Sequence, residues 1–288
     1  MEPDLEETKR RKSLEELLQF AILNIDKPSG PTSFKTADLA KRILRVPKSC
    51  HYGTLDPNVT GVLPVGLNRA CRLARWFLTK DKTYRGTMRL HSEVGPEELL
   101  AQMKEFEGTI RQLPPVRSRV KRRVREREVH YWTVTGREGR DVEFKAKVQG
   151  GTYIRKLVHD LGERLDGAHM TGLRRTQAGI FRDDAPGFVT LEGLREAVAR
   201  LDAGDEAPLR EVLIPGEVIG HVLPAVAARP EAAEGLLLGR PVTRGDLLEE
   251  PEADEGEDFA IFADYRFLEV ARVVEEGEII ARPEFVLT

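Results

Sequence analysis

Strand and helix patterns follow one another irregularly along this chain, with no repeated strand–helix–strand unit, and that order excludes a parallel sheet wound regularly with helices. The apolar run AILNIDK ends in a Pro/Gly turn, and TSFKTADLAKRILRV then takes up helical periodicity, so strand, turn and helix are predicted in that order. NRACRLARWFLTKDK predicts a helix, KTYRGTMRLHSEV alternates as a strand does, and GPEELLAQMKEFEG predicts a short helix with Pro96 near its start. VHYWTVTGREGRDVEFKAKVQG predicts a hairpin turning at REGR, and GTYIRKLVHDLGERLD runs from a glycine pair into an amphipathic helix. Ahead of all these, SLEELLQF carries Ser13 and Glu16 at capping-box spacing, which predicts a short helix in an N-terminal arm. The expected fold class is α+β with a mixed, largely antiparallel sheet.

From Phe188 the texture changes. A helical segment and a connection containing Gly204 and Pro208 lead into short Val-, Ile- and Phe-rich stretches, which predict a small barrel or sandwich. The expected division is an arm over 1–20, a main domain over 21–208 and a smaller β domain over 209–288.

With 288 residues, 40% hydrophobic and 32% charged, the composition is that of a globular protein able to bury a full core. Apolar segments such as VTGVLPVGLN fall well short of the roughly 20 residues that span a bilayer, so no membrane partner is expected. The first twenty residues mix both charge signs without an apolar core, which does not read as a secretory signal, and the cytoplasm is the expected compartment. Cys50 and Cys71 have no CxxC spacing and read as reduced thiols.

The formal net charge of −3 hides an uneven distribution. Arg111 to Arg127 holds eight Lys/Arg against one Glu, whereas Asp246 to the end holds fourteen Asp/Glu against three Arg. The basic run is suited to phosphate, although a solvated charged face has the same composition.

The stretch HYGTLDPNVTG, residues 51–61, sets one carboxylate among turn formers at the edge of VLPVGL. Asp before Pro commonly shapes a turn by accepting a backbone amide, and that reading explains Asp56 locally. The alternative is a reacting group, with Gly53 and Gly61 letting a ligand approach the backbone and Pro57 limiting the chain.

Taken together and in order, IDKPSGPTS, HYGTLDPNVTGVLPV, KTYRGT, GTYIRKLVHDLG and LRRTQAG resemble the TruB-like family of pseudouridine synthases. IRQLPPVRSRVKRR is similar to its archaeal and eukaryotic RNA-guided branch, the dyskerin-like catalytic subunits of box H/ACA ribonucleoproteins, and the C-terminal segment resembles a PUA domain. The resemblance implies Asp56 as nucleophile, Tyr84 beside the target base and Arg155 in contact with Asp56. It also implies that Lys27 and Pro28 support the loop, that Gly53, Thr54 and Leu55 build it, that Leu173 walls the base, and that His51 helps extrude or hold the target. Tyr52 stands where a small residue is expected, and it either packs beside the loop or alters access. Arg117, Arg119, Lys121, Arg122 and Arg123 would contact RNA phosphates, with Arg174 and Arg175 extending that face. Gly239, Arg240 and Arg244 would grip a guide RNA through the PUA domain.

Converting uridine to pseudouridine breaks the N1–C1′ bond, turns the base and rejoins it through C5, so the uracil must leave the stack. A carboxylate can attack covalently or take a ribose proton, and both routes stay open at this point. Neither calls for a metal or other cofactor, and no HExxH pattern or paired ligand cluster is present in the sequence. The resemblance implies guide RNA, substrate rRNA or tRNA, and small accessory proteins as partners. Two alternatives are a guide-independent tRNA pseudouridine synthase and a non-catalytic RNA-binding scaffold.

Overall fold

The computed structural model describes residues 2–114 and 123–288. Two short helices, α1 (Leu5–Arg11) and α2 (Leu14–Gln19), form the arm, and Ser13 and Glu16 close the predicted capping box on α2. The chain then enters β1 (Ala21–Lys27), turns through Pro28–Thr32 and forms α3 (Ser33–Ile43), whose first turn is capped by the Thr32 hydroxyl. The strands β2 (Ser49–His51) and β3 (Thr60–Leu67) flank the 51–61 motif.

A single helix is expected over NRACRLARWFLTKDK, but the structure has a 3-10 turn over Asn68–Leu73 and then α4 (Ala74–Leu78). Tertiary bonds explain the difference. Asn68 takes a left-handed conformation while its side chain accepts from the Lys48 amide and donates to the Leu18 carbonyl. At the other end the Lys82 ammonium collects the carbonyls of Phe77, Leu78 and Lys80.

Next come β4 (Lys82–Leu90), α5 (Pro96–Lys104), β5 (Gly108–Gln112), and a long hairpin of β6 (Arg125–Glu138) and β7 (Asp141–Val148). After it follow α6 (Ile154–Gly162), β8 (Ala168–Ala178), β9 (Phe181–Arg182), β10 (Phe188–Thr190), α7 (Leu191–Asp202), α8 (Ala207–Val212) and β11 (Leu213–Pro215). These strands make one sheet in the order β10-β1-β3-β8-β4-β7-β6-β5, with β2, β9 and β11 paired at its side. Most pairings are antiparallel, and β1 with β10 and β3 with β8 are parallel. The last segments are β12 (Ala225–Ala227), α9 (Ala233–Leu237), β13 (Val242–Thr243), β14 (Asp258–Ala263), β15 (Arg266–Glu276) and β16 (Ile279–Val286). They form a second sheet of five strands in the order β12-β14-β15-β16-β13. Because β11 pairs with β1, the first sheet runs on past residue 208 to Pro215.

Alternation places one face of the β4–β7–β6 region against α5 and α6, where Met88, Phe144, Trp132, Leu157 and Leu161 are buried together. In α6 the buried residues Ile154, Leu157, Val158 and Leu161 recur at helical spacing, which turns Arg155 outward. A second core packs α3 and α7 on β1 and β3 through Ala37, Ala40, Leu194, Ile25 and Leu63. A third core joins the sheets: Phe20, Tyr52 and Phe77 share it with Phe262, Phe267 and Phe285. The arm is fastened there by a buried Lys12–Glu217 ion pair. Among the described residues, no helix is long and apolar enough to cross a membrane.

Candidate functional site

The loop between β2 and β3 carries Asp56 outward because its neighbours are held inward. Leu55 is buried, and its amide and carbonyl both bond the Ser33 hydroxyl, at 2.8 and 3.1 Å. Gly30 donates to the Pro57 carbonyl at 3.0 Å, tying the β1–α3 turn to the same loop. Lys27 is fully buried at the end of β1 and donates to the carbonyls of Pro28, Pro57 and Val59 at 2.8, 2.9 and 2.9 Å. One ammonium thus fastens both segments that carry the motif, and Pro28 lies exposed on the turn it holds. Burial, and secondarily the nearby Arg175, lower the Lys27 pKa from its ordinary value.

Arg175 provides a second fastening. It is 1% exposed, donates from Nε to the Val62 carbonyl at 2.7 Å and from Nη2 to the Gly53 carbonyl at 3.3 Å, and its guanidinium meets the Tyr84 side chain. Burial lowers its pKa, and the contact with Tyr84 offsets part of that. Tyr84 faces Arg175 because β4 and β8 shift register between Thr83 and Tyr84, which sets the two residues opposite each other. Gly61 pairs with Arg175 across the parallel β3–β8 contact, and there a side chain is impossible: a Cβ would lie 2.2 Å from the Arg175 carbonyl oxygen, at a φ of +98°.

Lys82, buried under α4, is a third interior cation, with its pKa brought down to about 8 chiefly by burial. Lys27, Lys82 and Arg175 make no ion pair among the described residues and donate to backbone carbonyls instead, so no carboxylate partner offsets their charge behind the loop that presents Asp56. That charge favours anions at the surface above it, carboxylate or phosphate.

Outside, Arg155 of α6 reaches Asp56 and forms an ion pair with it while both side chains stay about half exposed. The sequence-predicted contact between them is present in the geometry. A surface pair of this exposure adds little to stability, and its effect is to hold the carboxylate in one direction. Thr54 is exposed, Gly53 partly buried with a φ of +108°, and His51 half-buried on β2 opposite Val65. Leu173 packs at the margin of the core that contains Leu55 and Tyr84. A cavity of about 710 Å³ opens beside the loop, bordered by Asn58, Thr60, Gly86, Leu173 and Arg174.

Tyr52 does not border this opening. It is 1% exposed, stacks on Phe77 with centroids 5.2 Å apart, and donates its hydroxyl to the Ala70 carbonyl. Gly66 makes room for it, since a Cβ there would stand 2.3 Å from the Tyr52 hydroxyl.

Several expected RNA contacts lie elsewhere. Arg175 is interior, so it cannot extend an exposed phosphate-binding face. Arg174 is half-buried and gives two hydrogen bonds to Asp26, at 2.9 and 3.0 Å, which leaves that guanidinium internally committed. Arg240 is likewise paired with Asp246, at 2.7 and 2.8 Å. Arg244 is exposed and pairs with Glu250, and Gly239 ends α9 with a φ of +81°. Arg123 is exposed, whereas Arg117, Arg119, Lys121 and Arg122 fall outside the described residues.

Ser33, Lys82 and the interior role of Arg175 carry no signature of their own in the sequence. Ser33 and Lys82 stand inside the segments PTSF and KTY, so adjacency to the motifs is their signal. No ligand cluster is expected from the sequence, whereas α6 brings atoms of His159, Asp160 and Glu163 within 4.8 Å of one another. That group is on the helix surface, and Asp160 is already paired with Lys156.

Residues 41–98 match the family described as TruB family pseudouridylate synthase (N terminal domain), and residues 155–219 match the tRNA pseudouridylate synthase B C-terminal domain. A protein of Methanopyrus kandleri described as a probable tRNA pseudouridine synthase B is 44% identical over 79% of this chain and 68% of its own length. Its counterpart in Thermococcus kodakarensis is 45% identical over 80% and 68%. Among solved structures, a Cbf5-Nop10-Gar1 complex contains a chain that superposes with a TM-score of 0.90 at 36% identity, covering 99% of this chain and 89% of that one. An H/ACA RNP bound to a substrate RNA containing 2'-deoxyuridine contains another, with a TM-score of 0.88 at 33% identity over 97% and 89%. Matching sequence, fold and site segments along nearly its whole length, the chain belongs to the TruB family of pseudouridine synthases.

Proposed function

We propose that this pseudouridine synthase works as the catalytic subunit of an RNA-guided particle, isomerising a uridine that a box H/ACA-type guide presents to Asp56. The carrying observation is the placement of Asp56: an outward carboxylate on a loop fastened from beneath by Lys27, Arg175 and Ser33, and held from outside by Arg155. Such preorganisation serves a carboxylate that must meet one sugar carbon or one ribose proton, because misplacement by about 1 Å is enough to cost roughly a hundredfold in rate.

In this reading the flipped uracil enters beside Tyr84 and Leu173, and Asp56 acts on the ribose. Either it bonds covalently to C1′ as N1 leaves, or it removes the C2′ proton. In the first route C5 of the turned uracil bonds to C1′ as the Asp56–C1′ bond breaks. In the second, loss of the C2′ proton expels uracil and leaves a C1′=C2′ double bond, to which C5 adds at C1′ while the proton returns to C2′. In both, the C5 proton is then lost while N1 gains one. Tyr84 holds the ring side of the site and Arg155 keeps the carboxylate directed. Likeness to chains solved in Cbf5-Nop10-Gar1 and H/ACA assemblies, across both sheets, supports a guide RNA and small accessory proteins as partners. The β domain of Ala225–Val286 corresponds to the expected PUA unit, with Arg244 its exposed candidate for RNA.

The test is pseudouridine formation in a short RNA bearing one radiolabelled uridine, with and without guide RNA and accessory proteins. Product that depends on the guide is expected. Product from bulk tRNA with the protein alone would favour a guide-independent enzyme, and tight RNA binding without product in every assembly would favour a scaffold.

A further inference from the structure

The chain has eleven Phe, five Tyr and two Trp, and among these eighteen aromatic side chains Phe34 alone is exposed, at 69%. The others are buried or half-buried. The position of Phe34 is as notable as its exposure. It follows Ser33, the residue whose hydroxyl bonds both backbone groups of Leu55, and Leu55 precedes Asp56. The α3 start and the Asp56 loop are therefore stitched together at adjacent residues, each with its next side chain in solvent. Lys35, also exposed, has no carboxylate partner among the described residues. Pro28, Thr32, Asp56 and Asn58 complete the exposed rim.

We propose that Phe34 is a stacking platform for a nucleotide of the substrate strand flanking the target uridine, with Lys35 meeting that strand's phosphate. This rests on the reading that RNA is presented to Asp56. Extruding a uridine unstacks its neighbours, and a planar apolar ring at the mouth of the site replaces lost stacking without reading sequence, because every base has a π-face. A packing role accounts poorly for Phe34, since a ring so exposed contributes little to the interior. Phe34 thus acts as a positioning residue for the strand and takes no part in bond making.

The test compares wild type, Phe34→Leu, Phe34→Ala and Phe34→Trp in the complete guide-dependent particle, with substrate RNA carrying 2-aminopurine next to the target. Wild-type turnover in the same assay establishes the underlying reading separately. Base–aromatic stacking predicts that Leu and Ala raise the KM for substrate RNA about 5- to 100-fold, that Trp restores it, and that quenching of 2-aminopurine on binding is lost with Leu and recovered with Trp. Equal KM and equal quenching for wild type and Leu would overturn the proposal, as would a KM defect in Trp matching that in Ala.

Discussion

Replacing Lys27 by Met keeps the length and apolar stem of the side chain but removes the charge that fastens the motif. The Lys27 ammonium makes three hydrogen bonds of 2.8–2.9 Å, to Pro28, Pro57 and Val59. At roughly 1.5–3 kcal/mol for each bond to a charged group, the three give about 5–9 kcal/mol, and desolvating a buried ammonium costs several kcal/mol against them. The expected net loss is about 2–4 kcal/mol, or a fall in Tm of roughly 5–12 °C for a chain of this size. Because Pro57 follows Asp56 directly, the same change frees the carboxylate, and single-turnover pseudouridine formation should drop by about a hundredfold. Lys27→Arg should fail to rescue, since the planar fork cannot reproduce three bonds from one nitrogen in that space. Thermal unfolding followed by circular dichroism, with turnover measured well below the variant's Tm, separates the two effects. A Lys27→Met protein that melts within about 1 °C of wild type and turns over normally would refute the reasoning.

Arg155→Ala should leave Tm nearly unchanged, because the pair it makes with Asp56 is about half exposed, while product formation falls by about a hundredfold through loss of carboxylate direction. Glu269 is fully buried and burial pushes its carboxyl up to about 8, so the native state keeps a proton that the unfolded chain releases above its ordinary value. Stability therefore falls as pH rises from about 4.5 to 8, and Glu269→Gln should flatten that decline and add roughly 3–5 kcal/mol at pH 8, read by denaturant unfolding across that range. Asp246 shows the opposite sign: hydrogen bonding from Arg240, and then from Thr243, brings it down to about 2. Its contribution, about 2 kcal/mol, is present above the ordinary carboxyl range and disappears as pH falls through 2, so wild type and Asp246→Asn should differ in urea midpoint at pH 7 and converge in strong acid.

Much of the scaffold could be read from local pattern. The capping box at Ser13 and Glu16, the strand AILNIDK, the hairpin turning at Gly139 and Arg140, and the stripe Ile154, Leu157, Val158 and Leu161 are short-range signals, and each has its element. The 68–78 segment departed from its pattern because Asn68 and Lys82 bond to partners that periodicity does not encode. At the site, the motif loop was visible in its turn formers, and the Asp56–Arg155 pairing came from resemblance. What escaped was direction. Two consecutive arginines, Arg174 and Arg175, alternate across a strand, and the one that turns into the core stands opposite Tyr84 through a register shift between β4 and β8 that no short-range pattern encodes. The use of Lys27 as a clamp was equally hidden, since its three acceptors are backbone carbonyls with no residue-type signature.

The central claim is that Asp56 carries the chemistry. Wild type and Asp56→Asn should be assembled with an H/ACA-type guide RNA and accessory proteins, and pseudouridine counted in an RNA bearing one radiolabelled uridine alongside substrate affinity. The account predicts guide-dependent product from wild type, none from the variant, and RNA binding retained by both. Undiminished product from Asp56→Asn would contradict it.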